Sequence, residues 1–397
     1  MGTVTLNIKL SDRVQRIKPS PTLTITAHAN ALKAAGKDVI GLGAGEPDFD
    51  TPDHIKQAAS RAMDAGMTKY TAVDGTAELK QAVINKFKNE NGFAYVPSQI
   101  LVSCGGKQSF YNLCQALLDA GDEVVIPAPY WVSYPDMVLL ADATPVYIET
   151  DIDQQFKMTP AQLEAALSPR TRLIVINSPS NPSGMAYSKA ELAALGEVLR
   201  QHPDVLIASD DMYEHILWAD EPFSNILNAC PDLYERTIVL NGVSKAYSMT
   251  GWRIGYAAGP ASLIKAMKNI QSQSTSNPAS ISQAAAQAAL EGDQGCITEM
   301  LQAFKARHDR VVVGLNAIEG ILCLPGNGTF YAFPDVHGLI ARITGVNDDV
   351  ELAEYILDQA GVALVPGSAF GCPGYMRLSF ATSMENLEEA LQRLSRL

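Results

Sequence analysis

Residues 172–210 read RLIVINSPSNPSGMAYSKAELAALGEVLRQHPDVLIASD, and the fold class follows from them. Arg172–Asn177 and Asp204–Ser209 are short apolar runs, and the segment between them, Lys189–Gln201, has a helical pattern. Strands alternating with a helix of this length imply parallel strands in a sheet covered by helices. The same alternation runs outward in both directions. Ile100–Ser103, Glu123–Ile126 and Pro145–Glu149 precede the unit, Thr237–Asn241 and Arg253–Ala257 follow it, and Gln108–Ala120 and Ala261–Ser274 are further helices. Seven strands interleaved with helices predict an α/β fold, with a mostly parallel seven-stranded sheet between helical layers.

The ends of the chain read differently. A long helix around Cys296–Ile318, strands at Thr329–Pro334, Val362–Pro366 and Met376–Ala381, and helices Asp348–Gln359 and Met384–Arg396 predict a smaller α+β unit. Near the start, Thr22–Ala35 is a helical stretch stopped by Gly36, and Asp38–Leu42 is an apolar run too short to stand alone. The expected division is an N-terminal arm and part of the small domain at 1–49, a large domain at 50–290 and a small domain at 291–397, with the arm packed on the last.

Composition narrows the function. Of 397 residues, 47% are hydrophobic and 18% charged, which excludes disordered, collagen-like and coiled-coil classes. Forty-three acidic against 30 basic residues leave a net charge of −13, the wrong sign for gripping nucleic acid or anionic lipid. Small molecules are therefore the expected partners, with no nucleic acid and no membrane. The six cysteines lie far apart without C-x-x-C spacing, so reduced thiols are expected rather than a metal site or a disulfide framework. The first residues lack an apolar signal core and Gly2 lacks the hydroxyl residue a myristoylation pattern needs, so the expected location is the cytoplasm.

Several loops fall where strands end. G-L-G-A-G-E-P-D-F at 41–49 has glycines after an apolar run, but Glu46-Pro47 stands where a dinucleotide loop needs a helix start. Gly105-Gly106-Lys107 sits between a strand and a helix, as a tight turn or as a cradle where free N–H groups and the helix dipole hold an anion. N-S-P-S-N-P-S-G at 177–184 puts Asn181 in a rigid loop, as a turn residue or as an amide aimed at a ligand. Asp210 ends its strand, with Tyr213 just beyond; it caps the next helix or faces a buried cation. S-K-A-Y-S-M-T-G-W-R-I-G-Y at 244–256 carries Lys245 and Arg253 among small residues. A lysine recessed near another cation loses its proton readily and becomes a nucleophile toward carbonyls.

In their order along the chain, A-G-E-P-D-F-D-T-P, K-Y-T, G-G-K, P-Y-W-V-S-Y-P, N-P-S-G, S-D-D-M-Y-E-H, the Lys245 stretch and M-R-L-S-F-A-T-S resemble class I aminotransferases of the fold-type I, pyridoxal-phosphate-dependent superfamily, closest to the bacterial aspartate enzymes. The resemblance spans nearly the whole chain. It implies that Lys245 bonds the aldehyde of pyridoxal 5'-phosphate and moves the substrate proton, and that Asp210 pairs with the pyridinium nitrogen. Asn181 and Tyr213 are then the donors to the phenolic oxygen, and Trp131 stacks on the ring. The phosphate falls to the Gly106 and Lys107 amides, to Arg253 and to Tyr70 from a second subunit, which implies a homodimer. Arg377 beside Gly45 clamps the substrate α-carboxylate, and Lys107 with Thr22 meets a distal carboxylate.

The reaction so implied is L-aspartate with 2-oxoglutarate giving oxaloacetate and L-glutamate, with amination of prephenate or a broader aromatic or alanine specificity as alternatives. K-P-S at 18–20 is compatible with the prephenate reading. Departures from the pattern are few: Asp211 stands where many relatives carry Glu, Ser183 replaces a Thr, and Gly242 lacks the hydroxyl some branches carry there. A cofactor-binding half of a transcriptional regulator is disfavoured, because neither end supplies a basic DNA-binding segment.

Overall fold

The structure, a computed structural model, describes residues 8–19 and 21–397. Its centre is a seven-stranded sheet of β1 (Ile100–Ser103), β2 (Glu123–Pro127), β3 (Thr144–Ile148), β4 (Thr171–Asn177), β5 (Leu206–Asp210), β6 (Thr237–Gly242) and β7 (Gly255–Ala258). The spatial order is β1-β7-β6-β5-β4-β2-β3, and every pairing is parallel except the two made by β7. Successive side chains in a strand face opposite ways. Val102, Ile174, Ile176, Ile207 and Val239 accordingly join one buried cluster, and Leu101, Leu173, Val175, Ala208 and Ile238 the other. Both faces are covered by helices, which is why the strands read as unbroken apolar runs rather than alternating ones.

The Lys189–Gln201 helix starts where the sequence places it because Ser188 and Glu191 form a reciprocal cap, with the Glu191 N–H donating to Ser188 Oγ at 3.2 Å and the Ser188 N–H to Glu191 Oε2 at 2.7 Å. Three helices absent from the sequence reading lie beside the sheet, Ser280–Glu291 packing against both Asp53–Asp64 and Ala77–Lys86.

A second core gathers Phe304, Phe330, Val362, Met376 and Leu387 with Ile40 and Leu42 from the start of the chain. Ile40–Gly41 pairs in parallel with Val362–Ala363, so the apolar run near the N-terminus lies on the C-terminal part as expected. The short Asp12–Arg16 helix goes elsewhere: Arg13 and Arg16 both pair with Asp142, beside the sheet's far edge. The strand expected at Val362–Pro366 is two. Val362–Ala363 takes Ile40–Gly41 as its partner, whereas Val365–Pro366 pairs with Met376–Arg377 in a separate antiparallel sheet that Tyr331–Ala332 completes. Arg253, expected to open a strand, lies before β7 in a left-handed conformation with φ of 58°. Among the described residues, no helix is long and apolar enough to cross a membrane.

Candidate active site

Parallel pairing puts the carboxyl ends of neighbouring strands at one edge, where open α/β sheets bind their ligands. Asn177 at the end of β4 is in register with Asp210 at the end of β5, and β6 ends alongside at Gly242. Antiparallel β7 begins at that same edge, with Gly255 paired to Ser103 on one side and Gly242 on the other. Above this edge lies a cavity of about 420 Å³, lined by Thr22, Gly45, Gly106, Lys107, Trp131, Asn181, Asp210, Tyr213, Lys245, Arg253 and Arg377. Eleven positions singled out from the sequence thus meet in one place. Tyr70 does not: it is 92% exposed and outside the lining.

The floor of the cavity is a backbone cradle. The Gly106–Leu117 helix opens towards it, and the Gly106 and Lys107 N–H groups precede any intrahelical acceptor, the first of which, the Gly105 carbonyl, takes the Gln108 N–H at 3.0 Å. Glycine is required at Gly255, where a Cβ would stand 2.2 Å from the Gly106 nitrogen, and at Gly105, where φ is 87° and a Cβ would meet Arg253 Nη2 at 2.2 Å. Arg253 Nη1 donates to the Thr250 carbonyl at 2.8 Å, and its fork points over the cradle. Free N–H groups, a helix N-terminus and a guanidinium together are the chemistry that can hold an anion.

Lys245 Nζ donates to the Gly45 carbonyl at 2.6 Å and lies 6.0 Å from the Tyr213 ring centre. Burial pushes its amine down to about 8; Glu46 and Asp210 oppose the shift, and the cations Arg377 and Arg253 add to it. At pH 7 about a tenth of Lys245 is therefore the free amine, against a few parts in ten thousand for an unperturbed lysine. Asp210 is raised by burial, against the Tyr134 hydroxyl, which donates to Oδ2, and the Met212 N–H, which reaches Oδ1 at 3.3 Å. Among the described residues no cation is ion-paired with Asp210, although the Lys245 charge also lowers it, and a carboxylate so buried can face a positively charged ligand atom.

Arg377 is 2% exposed. Its Nη1 donates to Asn181 Oδ1 at 2.9 Å and its Nη2 to the Gly43 carbonyl at 2.7 Å, so the backbone oxygen beside it is that of Gly43, while Gly45 faces Lys245. The Arg377 Nε is buried without an acceptor. Such a donor is expensive to leave unmatched, and a guanidinium is the group best suited to meet a carboxylate. Lys107 Nζ lies over the Trp131 ring, 5.2 Å from its centre, and is lowered by burial and by Arg253.

Two tyrosines completing the site were not found from the sequence. Tyr134 belongs to the Ser133–Leu140 helix and, 1% exposed, bonds the Asp210 carboxylate. Tyr331 shares a 3.1 Å hydrogen bond with the Tyr213 hydroxyl and lies 4.4 Å from the Arg377 guanidinium. Burial raises the Tyr213 hydroxyl well above its ordinary range, which keeps it a donor.

Comparison with known proteins places this geometry. The family described as aminotransferase class I and II matches residues 37–394. An aspartate/prephenate aminotransferase of Nitrosomonas europaea is 63% identical over 395 residues, which are 98% of this chain and 100% of that protein. The crystal structure of the aspartate aminotransferase from Rhizobium meliloti superposes with a TM-score of 0.95 at 51% identity, covering 98% of both chains. That of the Thermus thermophilus aspartate aminotransferase with maleate gives 0.92 at 44%, covering 98% of this chain and 99% of that one.

Proposed function

The chain belongs to the class I and II aminotransferases, and we propose that within that family it uses pyridoxal 5'-phosphate to transfer the amino group of L-aspartate to 2-oxoglutarate, releasing oxaloacetate and L-glutamate. The observation that carries this reading is the single cavity into which Lys245, Asp210 and Arg377 all project. We place the protein in the cytoplasm as a homodimer, divided into an arm at 1–49, a large domain at 50–290 and a small domain at 291–397.

The residues fit the cofactor. The Gly106 and Lys107 amides and the Arg253 fork suit a phosphate, the unpaired Asp210 carboxylate suits a ring N–H, and the Tyr213 hydroxyl and Asn181 amide suit a phenolic oxygen. Trp131 supplies a flat apolar wall for the ring. When bound, pyridoxal phosphate supplies an aldehyde carbon that takes up the amino group and a ring that spreads the electrons released at the substrate Cα.

The chain's part is to bind, orient and move a proton. Lys245 Nζ, lowered to about 8, accepts the proton from the substrate Cα. Asp210 keeps a positive charge at the ring nitrogen, and Tyr134 holds that carboxylate in place. Arg377 offers its unmatched Nε to the α-carboxylate while its other two nitrogens stay anchored on Asn181 and Gly43. Lys107 and Thr22, also in the lining, receive the distal carboxylate of a dicarboxylic substrate; the Thermus thermophilus enzyme was solved with maleate, itself a dicarboxylate, which supports a dicarboxylic substrate. Tyr70, exposed in the single chain, is assigned to the phosphate of a second copy.

A second reading, in which prephenate also accepts the amino group, is favoured by the name of the Nitrosomonas relative. Oxaloacetate formation from L-aspartate, followed with 2-oxoglutarate and then prephenate as acceptor, tests both. Turnover with neither acceptor overturns the proposal, turnover with both supports the second reading, and turnover with prephenate alone replaces 2-oxoglutarate by prephenate as the acceptor.

A further inference from the structure

Behind the cavity, buried charge gathers around one carboxylate. The Lys86 side chain, at the end of the Ala77–Lys86 helix, is 1% exposed, and that of Glu214 is 4% exposed. The Lys86 ammonium pairs with Glu214 Oε1 and donates to Asn91 Oδ1 at 2.9 Å. Glu214 also accepts from Asn241 Nδ2 at 2.7 Å and from Asn91 Nδ2 at 2.9 Å. Burial pushes the Glu214 carboxyl up, but Lys86, His215 and Asn91 together outweigh it and hold it at about 2. The other titratable groups facing the pair include Glu90, 3.5 Å from Lys86; His215, bonded to Glu90 at 2.8 Å; Asp211, held by Ser209 and Asn225 at 2.7 Å each; and the buried hydroxyls of Tyr256 and Tyr247, which burial and the Glu214 charge both raise.

The place of this pair matters more than its strength. Glu214 follows Tyr213 directly, in the turn that begins at Asp210. Asn241 lies in β6, its side chain oxygen accepts the Gly242 N–H at 2.7 Å, and three residues later the chain reaches Lys245. Asn91 ends a single wide helical turn at Phe87–Asn91, a local irregularity that brings its amide to both members of the pair. One ion pair therefore ties together the segment carrying Asp210 and Tyr213, the strand delivering Lys245, and the adjoining helix. A buried ion pair is a poor way to gain stability, since apolar side chains of similar volume hold a core equally well. What it adds is a fixed geometry.

We propose that the Lys86–Glu214 pair is a positioning device that sets the Asp210–Tyr213 turn against the Lys245 loop, and acts on the bound cofactor through them. The inference rests on reading those three residues as the cofactor site.

The test uses the full chain loaded with pyridoxal phosphate and reads two quantities besides turnover: the cofactor dissociation constant, and the pH midpoint of the visible absorption of the lysine-bound cofactor. Lys86→Met combined with Glu214→Met is expected to melt cooperatively, yet to bind the cofactor about tenfold more weakly and to move the midpoint by about half a unit or more. A merely structural pair shifts the melting temperature and leaves both quantities alone. Cooperative melting with the parent dissociation constant and midpoint overturns the proposal. If the double variant does not fold, Glu214→Gln, which keeps the shape and removes the charge, is expected to show both shifts, and parent values there overturn it equally. A parent chain with no such absorption overturns the site reading, and this inference with it, so the two failures are told apart.

Discussion

Arg377→Lys is the sharpest perturbation the structure offers. The arginine is buried, anchored through Nη1 and Nη2, and left with one unmatched donor at Nε. A lysine keeps the charge but is a point donor that cannot hold Asn181 and Gly43 while meeting a carboxylate as a planar fork does. A hydrogen bond to a charged group is worth about 1.5–3 kcal/mol. Losing one such bond in the transition state lowers kcat/KM roughly 10- to 150-fold. Every amino acid substrate carries an α-carboxylate, so the loss is the same for L-aspartate and for L-alanine. Initial rates for both donors, measured on parent and variant at saturating keto acid, decide the matter. A loss below about threefold, or one confined to aspartate, refutes the reasoning.

The other predictions address separate parts of the cavity. Lys107→Ala leaves the α-carboxylate clamp intact and, because Lys107 is partly solvated, costs about 1–2 kcal/mol; kcat/KM falls roughly 5- to 30-fold for aspartate and stays within twofold for alanine, as steady-state kinetics will show. Asp210→Asn keeps the shape and removes the charge, so turnover drops by at least about 10³-fold while the fold is retained, checked by rate and melting curve together. In the cofactor-free protein, labelling of Lys245 by an amine-reactive reagent depends on the unprotonated fraction. Because the amine is lowered from 10.5 to about 8, the rate rises about tenfold per pH unit and levels off above pH 8, whereas an unperturbed lysine goes on rising to beyond pH 10.

The sheet was legible because both its faces are buried: Ile100–Ser103 and Arg172–Asn177 are apolar without alternation, and turn residues bracket them. The helix at Lys189–Gln201 was legible at both ends because Ser188 and Glu191 write its cap into the sequence. Ser280–Glu291 was not, since its buried face is made of Gln283, Ala285, Ala286 and Ala289, a polar residue and three small ones that give a weak apolar period. Val362–Pro366 reads as one run because nothing local reveals that its two halves pair with residues more than three hundred positions back and about ten positions ahead. The site follows the same rule. Asn181, Asp210 and Lys245 stand in motifs at strand ends and could be named from their neighbours. Tyr134 and Tyr331 reach their partners across 76 and 118 residues, so only the folded chain brings them in.

The most direct test of the central claim is the absorption spectrum of the protein loaded with pyridoxal phosphate, recorded before and after adding L-aspartate with no keto acid. The visible absorption of the lysine-bound cofactor should give way to the shorter-wavelength absorption of the aminated cofactor, with one oxaloacetate released per site. A spectrum without the first band, or one that neither L-aspartate nor any other amino acid changes, contradicts the account.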